Sequence, residues 1–123
     1  MDARRFLRYR LQLPVTLGAD GPGAPCSGNT TVVSRGGMEI ACDAANIACL
    51  LPEGHRITPD SRATMQFAIS LGGAHGTVRG AGRVLNARRL AQDEFRLGFE
   101  ILDLDTDTQR HLTEFLDQCT PAP

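Results

Sequence analysis

Residues 32–40 read Val-Val-Ser-Arg-Gly-Gly-Met-Glu-Ile, a short turn between two stretches that look like β-strands. β-branched residues precede the turn, and Met38 and Ile40 alternate with polar or small residues after it. Two consecutive glycines, Gly36 and Gly37, let backbone N–H groups converge on one point without a Cβ in the way. Such a turn is suited to receive a phosphate or a guanine edge, and it is equally the form of a plain hairpin turn.

A cluster of arginines stands close to the N-terminus, at Arg4, Arg5, Arg8 and Arg10. The chain of 123 residues has a formal net charge of −1 and no block of like charges. General binding to DNA or RNA requires a basic surface and is therefore not expected. A local basic cluster in a nearly neutral chain can still attract one small anion. Residues 1–8 are predicted to form a flexible basic arm, with a purely solvated N-terminus as the alternative.

Alternation of apolar and polar residues predicts a mainly β domain from residue 9 to residue 120. Six strands are predicted, at residues 9–17, 26–33, 37–42, 63–71, 77–87 and 95–101. Because Pro14 cannot donate to a ladder, the first strand is expected at a sheet edge or with a bulge. The polar run Arg88–Asp93 is predicted to form a turn. Short strands on tight turns favour an antiparallel sheet that closes into a small barrel.

The last apolar pattern of the chain has helical spacing. Thr106 and Gln109 are spaced as a capping box, and Asp105 and Asp107 favour the positive end of a helix. One face of this predicted helix consists of Thr108, Leu112, Phe115, Leu116 and Cys119. Pro121 ends the helix. The predicted fold is therefore a six-stranded antiparallel β-barrel with a C-terminal α-helix packed on it.

The cysteines do not indicate a metal site. Cys26, Cys42, Cys49 and Cys119 form no Cys-x-x-Cys pair and have no histidine at ligand spacing, so zinc is not expected. Cys42 and Cys119 fall on apolar faces, which predicts buried free thiols in a reducing compartment. The sequence has no run of about 18 apolar residues and no apolar segment behind the N-terminal charges. We therefore expect a cytoplasmic protein without membrane insertion or a signal peptide.

Calcium and enzyme motifs are incomplete or missing in this sequence. The acidic spacing of a calcium loop occurs at Asp103, Asp105, Asp107 and Glu114. Thr108, however, stands where that loop needs a glycine for its sharp turn. The sequence contains no nucleophile elbow, phosphate-binding lysine loop or zinc-protease motif. Ser34 as a nucleophile would need a base supplied by the fold, so a small hydrolase is a distant third hypothesis and no catalysis is expected.

Two short motifs, taken in their order and spacing, resemble those of the PilZ domain family. Arg4 and Arg8 match its Arg-x-x-x-Arg motif, and Ser34 and Gly37 match the end of its Asp/Asn-x-Ser-x-x-Gly motif. Val32 stands where the second motif has Asp or Asn. The resemblance covers nearly the whole chain. It implies a PilZ-like barrel of the split-barrel type that binds the bacterial second messenger cyclic di-GMP and needs no cofactor.

The resemblance also implies a set of ligand contacts. Cyclic di-GMP has two phosphodiester anions and two guanines, and guanidinium groups donate in a fork to phosphate or to guanine O6 and N7. The site expected by resemblance consists of Arg4, Arg5, Arg8, Ser34, Gly36 and Gly37. By the same resemblance, the position of Val32 supplies an acceptor to guanine N–H groups or to an arginine. Losing that partner typically costs about 1–3 kcal/mol, which weakens a site without abolishing it.

The resemblance leaves two functions open. In the first, the protein is a receptor in signal transduction, where the ligand orders the arm over the barrel and changes the surface seen by an unidentified protein partner. In the second, it is a degenerate PilZ-like adaptor that binds no nucleotide and acts only through protein–protein contact. Val32 favours the adaptor. The retained motif residues favour the receptor.

Overall fold

Antiparallel strands close into a barrel in the computed structural model, which describes residues 7–18, 26–50 and 64–122. The elements of this described part are β1 Pro14–Leu17, β2 Cys26–Val33, β3 Gly37–Cys42, α1 Ala44–Leu50, β4 Met65–Ser70, β5 Thr77–Ala91, β6 Glu94–Leu104 and α2 Thr106–Asp117. A short 3₁₀ turn, Gly73–His75, connects β4 to β5. Neighbouring strands follow the order β1-β2-β3-β6-β5-β4, and β1 pairs with β4 to close the sheet. The predicted antiparallel barrel with a C-terminal helix is confirmed.

Alternate residues of the strands point into the barrel and form its core. Phe67 of β4 and Phe99 of β6 meet edge to face there, with their ring centroids 5.5 Å apart. Gly82 of β5 lies against the Phe99 ring and the backbone of β6, where a Cβ would collide with both. The register of β5 against β6 also shifts next to Gly82. Close packing of β5 against Phe99 therefore requires glycine at position 82.

The first predicted strand is regular only in its second half. β1 begins at Pro14, whereas Tyr9 forms an isolated bridge in which it exchanges two backbone hydrogen bonds of 2.8 Å with Val33. Between these points the Thr30 hydroxyl accepts from the Leu13 N–H at 2.9 Å and donates to the Leu11 carbonyl at 2.5 Å. Over residues 10–13 the chain is therefore held by the Thr30 side chain together with one backbone bond, from the Thr30 N–H to the Leu13 carbonyl at 2.8 Å.

One of the two expectations placed Pro14 at a sheet edge, and this expectation is wrong. It pairs with Asn29 of β2, and the strand that it begins is paired on both sides within the closed barrel. Proline is tolerated at this position because it is the first residue of its strand, where no regular ladder bond is needed from its nitrogen. The alternative expectation, a bulge at Pro14, is not met either, because β1 pairs with β2 and with β4 without a shift of register.

The predicted polar turn at Arg88–Asp93 is mostly strand. β5 continues to Ala91, and only residues 92–93 turn before β6 begins. Arg89 lies opposite Phe95, and its guanidinium carbon is 5.8 Å from the centre of the phenyl ring. A cation–π contact of this kind gives a charged residue a partner across the hairpin. Strand pairing thus continues where polarity alone predicted a loop.

Helix α1 was not predicted, and its first turn is held by two carboxylates. Asp43 Oδ1 accepts from the Asn46 N–H at 2.9 Å, and Asp93 Oδ1 accepts from the Ala44 N–H at 2.8 Å. The backbone hydrogen bond from Asn46, followed by the one from its side chain, lowers the pKa of Asp43 below its ordinary value. Ile47 is wholly buried. This short helix depends on the turn between β5 and β6, which supplies Asp93 from 49 residues away.

The C-terminal helix packs with the predicted face but begins differently. Its apolar residues lie in or against the core, namely Leu112, Phe115, Leu116 and Cys119. Asp105 is the N-cap in place of Thr106, and its side chain makes no cap hydrogen bond, so the predicted capping box is wrong. The Thr108 hydroxyl instead donates to the Arg79 carbonyl at 3.1 Å, which joins α2 to β5. No helix of the described residues is long and apolar enough to cross a membrane.

Two of the four cysteines form a disulfide. Cys26 of β2 and Cys49 of α1 are bonded, with their Cα atoms 6.2 Å apart. The expectation of a reducing compartment does not account for this pair. Cys42 and Cys119 are free, as predicted, although they are half-buried and not fully buried. Burial raises the pKa of both thiols, and at Cys42 the charge of neighbouring Asp43 raises it further.

We expect Thr30→Val to destabilise the fold by about 1–3 kcal/mol, because the Leu13 N–H and the Leu11 carbonyl would lose their partner at nearly constant volume. Urea unfolding followed by circular dichroism measures this change. Thr16→Val is the matched control, since Thr16 is also a strand residue and its hydroxyl makes no hydrogen bond to a described residue. The control should change stability by less than about 0.5 kcal/mol. Equal unfolding midpoints for the two variants would contradict the anchoring role of Thr30.

Candidate functional site

The turn between β2 and β3 is held against β6 by backbone contacts. The Ser34 N–H donates to the Gly37 carbonyl at 2.9 Å, and the Ser34 hydroxyl donates to the same oxygen at 3.2 Å. The Ile101 N–H of β6 donates to the Gly36 carbonyl at 3.0 Å. A Cβ on Gly37 would lie 2.6 Å from the Phe99 carbonyl oxygen. Glycine at position 37 therefore lets the turn lie directly on the backbone of β6.

Arg8 is brought beside this turn by the backbone on either side of it. The two hydrogen bonds between Tyr9 and Val33 fix the next residue, and the Ala122 N–H donates to the Arg8 carbonyl at 2.7 Å. The side chain of Arg8 is exposed. No carboxylate of the described residues forms an ion pair with it. Arg8 thus combines a fixed backbone with a guanidinium group available to an external anion.

Four of the predicted site residues line one cavity. Its volume is about 410 Å³, which is within the range of small-molecule sites. Its lining consists of Arg8, Ser34, Gly36, Gly37, Leu85, Phe99, Glu100 and Ile101. The fold therefore brings the second arginine of the first motif to the serine and glycines of the second motif. Arg4 and Arg5 lie outside the described residues.

One wall of the cavity was missed by the sequence analysis. Leu85 of β5 and the residues 99–101 of β6 form this wall. Glu100 is the register partner of Gly37 in the ladder between β3 and β6. The alternation of apolar residues along β6 predicts which of its residues face the core, but it carries no information about the strand on either side. Glu100 can therefore be assigned to the cavity only when the order of the strands in the sheet is known.

Val32, the departure from the second motif, contributes no polar group to the site. It is half-buried, lies opposite Glu39 in the ladder between β2 and β3, and follows a register shift in β2. It is not among the residues that line the cavity. Because an aliphatic side chain can neither donate nor accept a hydrogen bond, an acceptor for a ligand N–H group must come from another residue.

The end of helix α2 is attached to two residues beside the cavity. Arg35 of the turn lies 3.8 Å from the carboxylate of Asp117, the last residue of α2. Ala122, which follows the helix, holds the carbonyl of Arg8. The side chains of Arg35 and Asp117 are 22 % and 52 % exposed, so solvent screens their ion pair and its free energy is at most about 1 kcal/mol. These contacts are nevertheless a structural connection between the site and α2.

A second cavity, of about 400 Å³, lies beside the N-terminal segment. Arg10 and Arg96 both line it. The charge of Arg96 is already balanced, since its guanidinium lies 3.1 Å from the Glu94 carboxylate and 3.9 Å from that of Glu39. None of the residues of the two motifs lines this second cavity. The cavity at Arg8 is therefore the stronger candidate for an anionic ligand.

The remaining reactive side chains do not assemble into a site. His75 packs its ring against Phe115, with the centroids 5.2 Å apart, and His111 is half-buried on α2. Within residues 7–18, 26–50 and 64–122, no three His, Cys, Asp or Glu side chains are placed to hold one metal ion. The Ser34 hydroxyl donates to a backbone carbonyl, and no histidine or carboxylate of the described residues is bonded to it.

Comparison with protein families gives a match over nearly the whole chain. The PilZ domain family matches residues 2–118. That range includes both motifs and every described strand. No curated protein sequence matches the chain significantly.

Solved structures with the same fold include three of low sequence identity. The PilZ domain with c-di-GMP of YcgR from Escherichia coli has a TM-score of 0.62 and 13 % identity, over 96 % of this chain and 92 % of that one. The Bacillus subtilis inhibitor of motility, MotI/DgrA, has a TM-score of 0.62 and 13 % identity, over 96 % and 54 %. The c-di-GMP-dependent transcription regulatory factor MrkH has a TM-score of 0.59 and 15 % identity, over 89 % and 47 %. This chain therefore spans about half the length of MotI and MrkH.

We expect Gly37→Ala to distort the turn and to lower the free energy of unfolding by about 1–3 kcal/mol, because the added Cβ meets a backbone carbonyl that cannot move aside alone. Ser34→Ala is the control in the same turn. It removes one 3.2 Å hydrogen bond and keeps the backbone bond, so its cost should stay below about 1 kcal/mol. Urea unfolding and amide correlation spectra measure both effects. An unchanged midpoint for Gly37→Ala would show that β3 and β6 do not approach this closely.

Proposed function

Because the chain belongs to the PilZ domain family, we propose that it is a non-catalytic receptor for the bacterial second messenger cyclic di-GMP, working in the cytoplasm. The observation that carries this proposal is the single cavity lined by Arg8, Ser34, Gly36 and Gly37. Residues from two separate motifs meet there, so one ligand would contact them together. The YcgR domain of the same fold was solved with c-di-GMP, which supports the choice of ligand.

The chemistry of the cavity suits a guanine nucleotide that carries phosphodiester groups. Arg8 presents a permanently charged planar fork to a phosphate or to guanine O6 and N7. Gly36 and Gly37 allow a ligand to approach the backbone of the turn closely. Ser34 has a hydroxyl at the same wall, which can turn from the Gly37 carbonyl to a ligand atom. Arg4 and Arg5 are proposed to complete the phosphate contacts from the arm.

Binding is proposed to reach helix α2 through Arg8 and the turn. The Arg8 carbonyl is held by Ala122, and Arg35 is paired with Asp117 at the end of the helix. A ligand that fixes the arm and the Arg8 side chain would therefore also change the surface near that helix end. We propose that an unidentified partner protein recognises this changed surface. MotI, with the same fold, is described as an inhibitor of motility, which is a role of the regulatory kind.

A nucleotide-free adaptor is the second candidate function, and one observation favours it. Val32 gives the second motif an apolar side chain where hydrogen bonding is expected, and it lies outside the cavity. An adaptor would still need the barrel and α2 to present a binding surface, but it would not need the exposed charge of Arg8. Direct measurement of nucleotide binding separates the two functions.

We expect calorimetric titration to detect cyclic di-GMP binding whose affinity falls as salt rises, because charged groups on the surface are screened. Arg8→Ala should weaken this binding by at least tenfold, since a charge-assisted hydrogen bond contributes about 1.5–3 kcal/mol. Arg110→Ala is the matched control, because Arg110 is an exposed arginine of α2 that pairs with Glu114 away from the cavity. It should bind like the parent. Parent-like binding by Arg8→Ala would contradict its assignment to the site.

The proposed relay predicts slower hydrogen exchange on ligand binding in two places. Backbone amides of residues 2–7 should exchange more slowly when cyclic di-GMP is bound, because the arm then contacts the ligand. Amides at the end of α2, residues 115–120, and that of Ala122 should also exchange more slowly if the site is linked to the helix. Exchange of β4, which does not line the cavity, provides the internal control. Binding without any change at the arm would disprove the ordering step and leave the receptor function intact.

A further inference from the structure

We propose that Glu100 selects guanine in this cavity by accepting hydrogen bonds from the N1–H and the exocyclic amine of one guanine of the ligand. This inference deepens the proposed function and rests on it. Val32 offers no acceptor to the donor edge of the base, and Glu100 is the residue that supplies one. Guanine presents two adjacent N–H donors on that edge, and a carboxylate has two oxygens at the matching spacing.

The sheet places Glu100 in a row of residues that crosses three strands. Ser34 is bonded to Gly37 at the start of β3, Gly37 is the register partner of Glu100 on β6, and Glu100 is the register partner of Arg83 on β5. Gly37 has no side chain, so nothing at that position stands between the Ser34 hydroxyl and the Glu100 carboxylate. Glu100 and Ser34 consequently line the same cavity. A planar base lying over Gly37 can meet both groups at once.

The cavity is lined by one positive and one negative side chain, and each suits a different group of the ligand. Arg8 is the arginine of the lining and Glu100 is its carboxylate. A carboxylate is unfavourable beside a ligand that offers only phosphate groups, because like charges repel. It is favourable beside a ligand that carries phosphate at one place and N–H donors at another. A guanine nucleotide has both features, whereas inorganic phosphate has only the first.

Glu100 is oriented by Arg83 and still has an unused oxygen. The Arg83 guanidinium donates to Glu100 Oε2 at 3.3 Å, and the two side chains are 37 % and 34 % exposed. Arg83 Nε is buried and has no hydrogen-bond partner among the described residues, so the contact of Arg83 with Glu100 is made through the terminal nitrogen. No described residue donates a hydrogen bond to Glu100 Oε1. Holding the carboxylate before the ligand arrives reduces the side-chain entropy lost on binding.

The test compares two ligands that differ by one amine on each base. Cyclic di-GMP and cyclic di-inosine monophosphate share the phosphodiester ring, O6, N7 and N1–H, but only the first has the exocyclic amine. Calorimetric titration of the full chain should show that the parent prefers cyclic di-GMP by about tenfold or more, the change expected from one buried hydrogen bond. Glu100→Gln and Glu100→Ala should each reduce that preference to about threefold or less, and Glu100→Ala should also weaken the inosine ligand, whose N1–H loses the same acceptor, but by a smaller factor than cyclic di-GMP. Because Glu100 is partly exposed outside the core, both variants should keep the circular dichroism spectrum of the parent.

Glu114→Ala is the matched control, since Glu114 is also an exposed glutamate paired with an arginine and does not line the cavity. It should keep the parental preference for cyclic di-GMP. A second readout uses the parent alone: the carboxyl carbon of Glu100 should shift in the NMR spectrum with cyclic di-GMP and shift less with the inosine ligand. This measurement decides the matter even if a variant at position 100 does not fold.

The failures of the two proposals have different signatures. A parent that binds neither cyclic dinucleotide disproves the receptor function and the role of Glu100 with it. A parent that binds cyclic di-GMP while the Glu100 variants keep its preference disproves only the role of Glu100. Tighter binding of both ligands by Glu100→Ala would also disprove it, since the carboxylate would then act only by repelling phosphate.

Discussion

The hydroxyl of Thr30 holds the N-terminal segment on the barrel, and the candidate site depends on that attachment. Thr30 is fully buried, and a buried polar group is costly unless it is hydrogen-bonded. Its hydroxyl accepts a hydrogen bond from the N–H of Leu13 and donates one to the carbonyl of Leu11, so all three groups are paired. Tyr9, which precedes Leu11 in the chain, is hydrogen-bonded to Val33 at the end of β2, and this places Arg8 beside the turn that follows β2. The hydrogen bonds of the buried Thr30 hydroxyl thus help to fix the backbone of the exposed Arg8.

Closure of the barrel fixes which residues meet across the site. The order of strands places β6 between β3 and β5, so Glu100 has Gly37 on one side and Arg83 on the other. A slip of one residue in either ladder would turn Glu100 toward the core and Phe99 toward the solvent. The packing of Phe99 against Phe67 and Gly82 opposes such a slip. Core packing therefore determines the chemistry of the outer surface, although none of the three core residues is polar.

The two helices connect distant parts of the chain to this frame. α1 is tied to β2 by the Cys26–Cys49 disulfide and to the turn between β5 and β6 by Asp93. A covalent link over this separation reduces the freedom of the unfolded chain and so favours the folded one. α2 is tied to Arg8 through Ala122 and to the turn through Asp117. The contacts beside the cavity therefore lead to α2, whereas those of α1 lead to β2 and to the turn between β5 and β6.

The sequence by itself determined the local features of this protein. β-branched residues located β2, alternation located β3, and the spacing from Leu112 to Cys119 identified the buried face of α2. Two short motifs were enough to name the cavity residues Ser34, Gly36 and Gly37 and to add Arg8. Only the tertiary structure decided which strands are neighbours, and with it the place of Glu100 in the cavity, the disulfide and the contact that begins α1. Sequence patterns report how each residue relates to its own strand or helix, whereas sheet order and long-range pairing arise from packing between segments that are far apart in the chain.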